Sequence, residues 1–148
     1  SKKKGGGVLL DLSHELDYLT WIFGEIKDFS KNIVKVSNLK ISSEDYASII
    51  GTTKKDIVFN LCLNYFSKIS KREILVEGKD ISIKIDLIKN SFLILKKGKK
   101  LSNNLKNLDL DFTYKLQLHS FLKNEKSQIC TYKEAFQILE TINIIKKN

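Results

Sequence analysis

Gly5-Gly6-Gly7-Val8-Leu9-Leu10-Asp11-Leu12-Ser13-His14-Glu15-Leu16-Asp17-Tyr18-Leu19-Thr20-Trp21-Ile22-Phe23-Gly24 is the stretch around which the chain is organised. Three glycines open it and one closes it. Leu9, Leu12, Leu16, Leu19 and Phe23 recur at three- and four-residue steps, the spacing of one buried stripe on a helix. Asp11, His14, Tyr18 and Trp21 recur in the same way and predict a second, chemically active stripe, with Asp11 and His14 as near neighbours. Gly24 stands where a glycine C-cap belongs. The spacing therefore predicts a helix that carries an acid and a histidine side by side, with Glu15 expected in solvent.

Outward from this helix the pattern changes to strands. Residues 26–37 hold Phe29, Ile33, Val34 and Val36, types that suit a strand. Residues 38–43 read as a loop, 45–53 as a second strand and 53–56 as a polar turn. In 57–66, Ile57, Phe59, Leu61, Leu63 and Tyr65 alternate with Val58, Asn60, Cys62, Asn64 and Phe66. One face of that strand is wholly apolar and the other mixed, as expected of a sheet covered by helices on one side and partly buried on the other. Residues 72–77, 81–87 and 91–96 predict three further strands, joined by turns at Gly78-Lys79-Asp80 and Lys89-Asn90. The Lys-, Gly- and Asn-rich residues 97–108 read as an exposed loop.

Helical spacing returns with Phe112, Leu116 and Leu122. Residues 127–130 are expected to be an extended link. Thr131 with Glu134 forms a capping box, after which Ala135, Ile138, Leu139, Ile142 and Ile145 line a last helix. The sum is an α+β, two-layer domain: a helix, a mostly antiparallel open sheet of about six strands, then two helices on the same face.

The totals restrict the function. A chain of 148 residues reads as one domain. It has no apolar run long enough to cross a membrane and no visible signal peptide. Cys62 and Cys130 are expected to be reduced, buried thiols of a cytoplasmic protein. The net charge of +9 could suggest a nucleic-acid partner. However, Arg72 is the sole arginine, the lysines are dispersed, and no basic aromatic platform is evident, so a solvated lysine surface is the expectation. There is no G-x-G-x-x-G element, no P-loop, no Gly-x-Ser-x-Gly and no metal-ligand spacing, and His119 has no metal-spaced partner. No membrane, nucleic-acid or metal partner is expected.

Residues 5–24 resemble the start of the C-terminal domain of the Gfo/Idh/MocA oxidoreductases (glucose–fructose oxidoreductase, inositol dehydrogenase and relatives). Gly5-Gly6-Gly7, Asp11, His14, Asp17 and Gly24 follow the family's order. The family commonly places three residues between the first Asp and the His, whereas only Leu12 and Ser13 intervene here. The segment L-S-H-E-x-D-Y is similar to one branch of the family. The remaining chain resembles it in element order.

The resemblance implies a glyceraldehyde-3-phosphate dehydrogenase-like C-terminal fold. It implies that residues 1–148 are a substrate-binding and oligomerisation domain, and that a dinucleotide-binding N-terminal Rossmann domain lies outside the fragment. The chain has no methionine, which agrees with a piece of a longer protein. The implied whole enzyme uses NAD or NADP and moves a hydride to or from a sugar, cyclitol or related polyol, and the fragment alone is expected to be inactive. The open sheet face is the expected homo-oligomer contact.

His14 reads as the general acid/base, since an unperturbed imidazole titrates near neutral pH. A surface histidine satisfied by a neighbouring carboxylate is the bland alternative. Asp11 either assists catalysis by orienting His14 or binding a substrate hydroxyl, or is a carboxylate favoured by the helix dipole. Asp17, Tyr18 and Trp21 are candidate substrate-binding residues, or else pack and pair structurally. Gly5, Gly6 and Gly7 are candidate cofactor-side residues because glycine permits close backbone approach; a flexible linker is the alternative. A non-catalytic carbohydrate- or partner-binding relative would share all these features.

Overall fold

In the computed structural model, which describes residues 6–105, 110–125 and 129–147, the opening stretch forms two helices rather than one. These are α1 (Val8–Asp11) and α2 (Ser13–Phe23). The bend falls at Leu12, with φ −105° and ψ 29°. Val8, Leu9, Leu16 and Leu19 are buried as their spacing predicts. Gly24 ends α2 at φ +98°, its N–H donating to the Thr20 carbonyl at 2.8 Å. Asp11 and His14 thus sit on different helices, and a single helical face no longer relates them.

The chain divides into two compact units, residues 1–67 with 130–148, and residues 68–129. The first contains α1, α2 and an antiparallel sheet of β1 (Ile26–Val34), β2 (Tyr46–Thr53) and β3 (Val58–Asn64), in that order. Alternation gives the sheet two faces, and the one with Ala47 and Ile49 of β2 and Phe59 and Leu63 of β3 is buried in the core.

The core is closed by the unit's last helix, whose Ile138, Ile142 and Ile145 pack with Leu9, Leu16 and Leu19. Each such fully buried side chain contributes roughly 1.5–3 kcal/mol. That helix starts at the expected capping box. The Thr131 N–H donates to Glu134 Oε2 at 2.7 Å, and the Glu134 N–H donates to Thr131 Oγ1 at 3.3 Å.

The second unit holds β4 (Glu73–Gly78), β5 (Ile81–Asp86), β6 (Ser91–Lys96) and β7 (Lys99–Asn104), an antiparallel meander in that order. The described strands therefore number seven in two sheets, and the class is α+β. One face of this meander carries Ile74, Ile85 and Phe92 in one row and Val76, Ile83, Ile94 and Leu101 in the next.

The reading of 97–108 as a loop is corrected over 99–104; residues 106–108 lie outside the described set. Lys97 (φ +47°) and Gly98 (φ +75°) form a two-residue turn whose handedness matches the strand twist. β7 then pairs with β6 from Lys96↔Lys99 to Ser91↔Asn104. Every residue of β7 is exposed, so no apolar alternation marks it. Backbone hydrogen bonds hold it, and its lysines suit an edge strand.

α3 (Leu110–Leu122) follows, and α4 (Tyr132–Lys147) is the helix already placed in the first unit. From Asp111 to Leu122, α3 buries only Ser120. The expected link at 127–130 lies outside the described residues over 127 and 128. No helix among the described residues is long and apolar enough to cross a membrane.

The two cysteines are a second correction, because both are exposed. Cys62 lies on the mixed face of β3, and an apolar neighbourhood in sequence does not say which face is covered. Cys130 stands just before the Thr131 cap.

Asp45, ahead of β2, is fully buried. It accepts from the Val36 N–H (2.7 Å), the Ser37 N–H (3.0 Å) and the Ser37 hydroxyl, with Lys35 Nζ 3.1 Å away. Burial disfavours its charge, but the hydrogen bonds from Ser37, Val36 and Lys35 outweigh burial and hold its pKa well below the ordinary carboxylate value. A lowered folded pKa stabilises the native state above the unfolded value, roughly pH 4, and that gain is lost as pH falls through the folded pKa. Unfolding followed by circular dichroism should show stability falling below about pH 4. Asp45→Asn should lower Tm by several degrees at pH 7 and flatten this acid dependence.

Candidate active site

The site is built where the lead-in to β2 ties the start of α1 to the end of β3. The Val8 N–H donates to the Glu44 carbonyl at 3.1 Å, and the Tyr65 N–H donates to the Asp45 carbonyl at 3.1 Å. Two successive residues thus set the positions of two distant segments. The result is that the Tyr65 hydroxyl donates to Asp11 Oδ2. Burial of Tyr65, the Asp11 carboxylate that accepts its hydrogen bond, and the nearby charge of Glu44 together push the phenol above the ordinary tyrosine value. Tyr65 therefore stays protonated and donates.

His14 opens α2 with its side chain half exposed, and its Nε2 lies 3.2 Å from Glu15 Oε1. Glu15 is not in solvent as expected but 7% exposed. The reason lies in its position one turn before Leu19, which places it on the shoulder of the buried stripe. Its carboxylate lies within ion-pair distance of His14 Nε2. At helical spacing His14, Asp17, Tyr18 and Trp21 share the face of α2 away from Leu16 and Leu19. Trp21 is 76% exposed, whereas Asp17 and Tyr18 are half-buried. The Asp17 carbonyl accepts from the Thr20 hydroxyl at 3.0 Å.

The glycine run has an internal reason. Gly7 has φ +132°, and a Cβ there would lie 2.1 Å from Glu44 Oε1. The Glu44 carboxylate packs on the Gly7 backbone, with Oε1 2.7 Å from Lys146 Nζ as an ion pair without hydrogen-bond alignment. Lys31 donates to the Ile145 carbonyl, which fixes the last turn of α4 beside this pair. The N–H groups of Leu10 and Asp11 both donate to the Gly7 carbonyl. The Val8, Leu10 and Asp11 amides at the start of α1 are thus bonded within the domain. Gly6 is partly exposed, and Gly5 lies outside the described residues.

Of the sequence-predicted residues, the structure places His14, Asp17, Tyr18 and Trp21 on one helix face and gives Asp11 to Tyr65. Sequence reasoning missed Tyr65, Glu44, Glu15 and Lys146 as members of the site. Tyr65 carried one signal: it ends an apolar strand face with a side chain whose tip needs a polar partner. Glu44 and Lys146 carried none.

The chain's residues 1–148 match the family model described as the oxidoreductase family, C-terminal alpha/beta domain (GFO_IDH_MocA_C). Among solved structures it is similar to a UDP-N-acetylglucosamine 3-dehydrogenase, GnnA, from Acidithiobacillus ferrooxidans. The identity is 19%, the TM-score 0.75, and 90% of this chain covers 44% of that one. It is also similar to the WlbA dehydrogenase from Bordetella pertussis in complex with NADH and UDP-GlcNAcA, with 13% identity, TM-score 0.68, and 96% of this chain covering 45% of that one. A third likeness is to an oxidoreductase from Agrobacterium radiobacter in complex with NAD+, L-tartaric acid and magnesium, with 18% identity, TM-score 0.60, and 71% covering 33%. The chain spans less than half the length of these structures, and at such identities they show its fold. No curated protein sequence matches it. The full-length family match, the α+β fold and the glycine-led helix pair together place this chain in the Gfo/Idh/MocA oxidoreductase family, as its C-terminal α/β domain.

Proposed function

We propose that this domain is the substrate-binding half of an NAD(P)-dependent oxidoreductase that moves a hydride to or from a sugar, cyclitol or related polyol. The dinucleotide would be bound mainly by an N-terminal Rossmann domain of the same protein. The observation that carries this reading is a half-exposed His14, its Nε2 within ion-pair distance of Glu15, on the open face of α2 in a chain of this family.

The donor set fits such a site. The domain offers an acid/base at His14, a fixed acceptor at Asp11 and an exposed indole at Trp21. A bound nicotinamide supplies the hydride acceptor or donor. As the substrate carbon gives up hydride, the hydroxyl proton passes to the His14 imidazole and the C–O bond becomes a carbonyl; reduction reverses both transfers. Asp11 accepts a hydrogen bond from a neighbouring substrate hydroxyl. Asp17, Tyr18 and Trp21 line the pocket, and Gly6 offers backbone to the cofactor side. Nucleotide sugars are the first substrates to try, since the similar GnnA and WlbA structures are named for or complexed with UDP-sugars.

The full-length protein should change nicotinamide absorbance at 340 nm with at least one member of a panel of UDP-sugars, free sugars and cyclitols. Absence of turnover with the whole panel would leave a non-catalytic carbohydrate-binding relative as the better reading.

The open face of the first sheet supports a homo-oligomer. Ile50 is 54% and Val58 74% exposed there, and Tyr46 stacks on Phe66 with ring centroids 6.4 Å apart. Val58→Asp should shift the full-length protein to a smaller species in sedimentation equilibrium. An unchanged mass would move the contact off this face.

A further inference from the structure

We propose that Tyr65 is a positioning residue which holds Asp11 for its contact with substrate, backed by Glu44 and Lys146; this rests on the reading of His14 and Asp11 above. Asp11 is the last residue of a four-residue helix and is exposed. A short carboxylate in that position has several rotamers open to it, and water solvates all of them. The Tyr65 hydroxyl selects one rotamer by donating to Oδ2. The other carboxylate oxygen, Oδ1, is not engaged by this bond.

Tyr65 is itself held on three sides. Its ring packs against the core of the first unit, its N–H is bonded to the Asp45 carbonyl, and the Glu44 charge lies close by. The Asp11 carboxylate and the Glu44 charge both favour the protonated phenol, so its hydroxyl serves as a donor to Asp11.

Glu44 links this arrangement to the rest of the unit. Its carbonyl fixes the first turn of α1 through Val8, and its carboxylate lies on Gly7 and meets Lys146. The positions of Asp11 and Tyr65 are thus fixed from both ends by one two-residue segment, with the C-terminal helix as its anchor. Four residues at 11, 44, 65 and 146 act together, although nothing in their spacing joins them.

The test uses the full-length enzyme with NAD+ and UDP-N-acetylglucosamine, or the best-turned-over panel member. Tyr65→Phe, Asp11→Ala, the double variant and His14→Gln are compared with wild type. Tyr65→Phe should lower kcat about 10- to 100-fold, the scale of a small misplacement of a reacting group. The KM for NAD+ and the pH profile should stay as in wild type. In the Asp11→Ala background the same change should cost nothing further, the non-additivity of two residues acting as a unit.

Wild-type kcat in Tyr65→Phe, alongside loss of turnover in His14→Gln, would overturn the positioning role and leave the proposed function intact. So would an equal loss from Tyr65→Phe with and without Asp11. A merely structural role would lower Tm while kcat per folded molecule stayed constant. Insensitivity to both Tyr65→Phe and His14→Gln, or no turnover in wild type, would remove both readings.

Discussion

His14→Gln in the full-length protein is expected to lower kcat about 1,000-fold, within the range that positioned general acid–base groups contribute. Glutamine keeps a nitrogen donor that can reach Glu15 but has no group able to take up and release a proton. The substitution therefore separates proton transfer from the packing of α2. Binding of the nicotinamide, followed by its fluorescence, should be unchanged, and Tm should move little because His14 is half exposed. Turnover that survives the change would place the acid/base elsewhere and make α2 a structural helix.

Gly7→Ala is expected to destabilise the first unit by about 3 kcal/mol, a Tm loss of roughly 10 °C for a chain of this size. Two costs coincide. At φ +132° an L side chain is strained, and its Cβ would occupy the place of the Glu44 carboxylate. That carboxylate is the end of a flexible side chain, but it is pinned by Lys146, and moving it breaks the pair. Differential scanning calorimetry of Gly7→Ala, with and without Glu44→Ala, separates the two. The double variant should recover the steric part and keep the backbone part. A Gly7→Ala protein as stable as wild type would show that the glycine serves only contacts outside this domain.

Much of the fold was legible because local chemistry repeats along the chain. The Thr131–Glu134 capping box, the Gly78-Lys79-Asp80 turn and the Gly24 C-cap each rest on a few adjacent residues. β7 was not legible, because an exposed edge strand is held by its backbone and its side chains carry no period. Residues 97–104 read as a loop for the same reason that they form a soluble edge. The exposure of Cys62 was equally hidden, since alternation says that two faces exist and not which is covered.

The sequence by itself determined the α+β class, the helices and strands with their approximate limits, and the order of residues by which this chain resembles its family. It also put His14, Tyr18 and Trp21 on one helix face, because 3.6-residue periodicity is a local property. Only the tertiary structure decided that the opening helix breaks at Leu12, that Glu15 is buried against the core, and that Tyr65 holds Asp11 while Glu44 bridges Gly7 to Lys146. Those contacts arise where the ends of separate elements meet, and their geometry depends on how α1, β2, β3 and α4 pack around one core. No spacing within any single element encodes that packing.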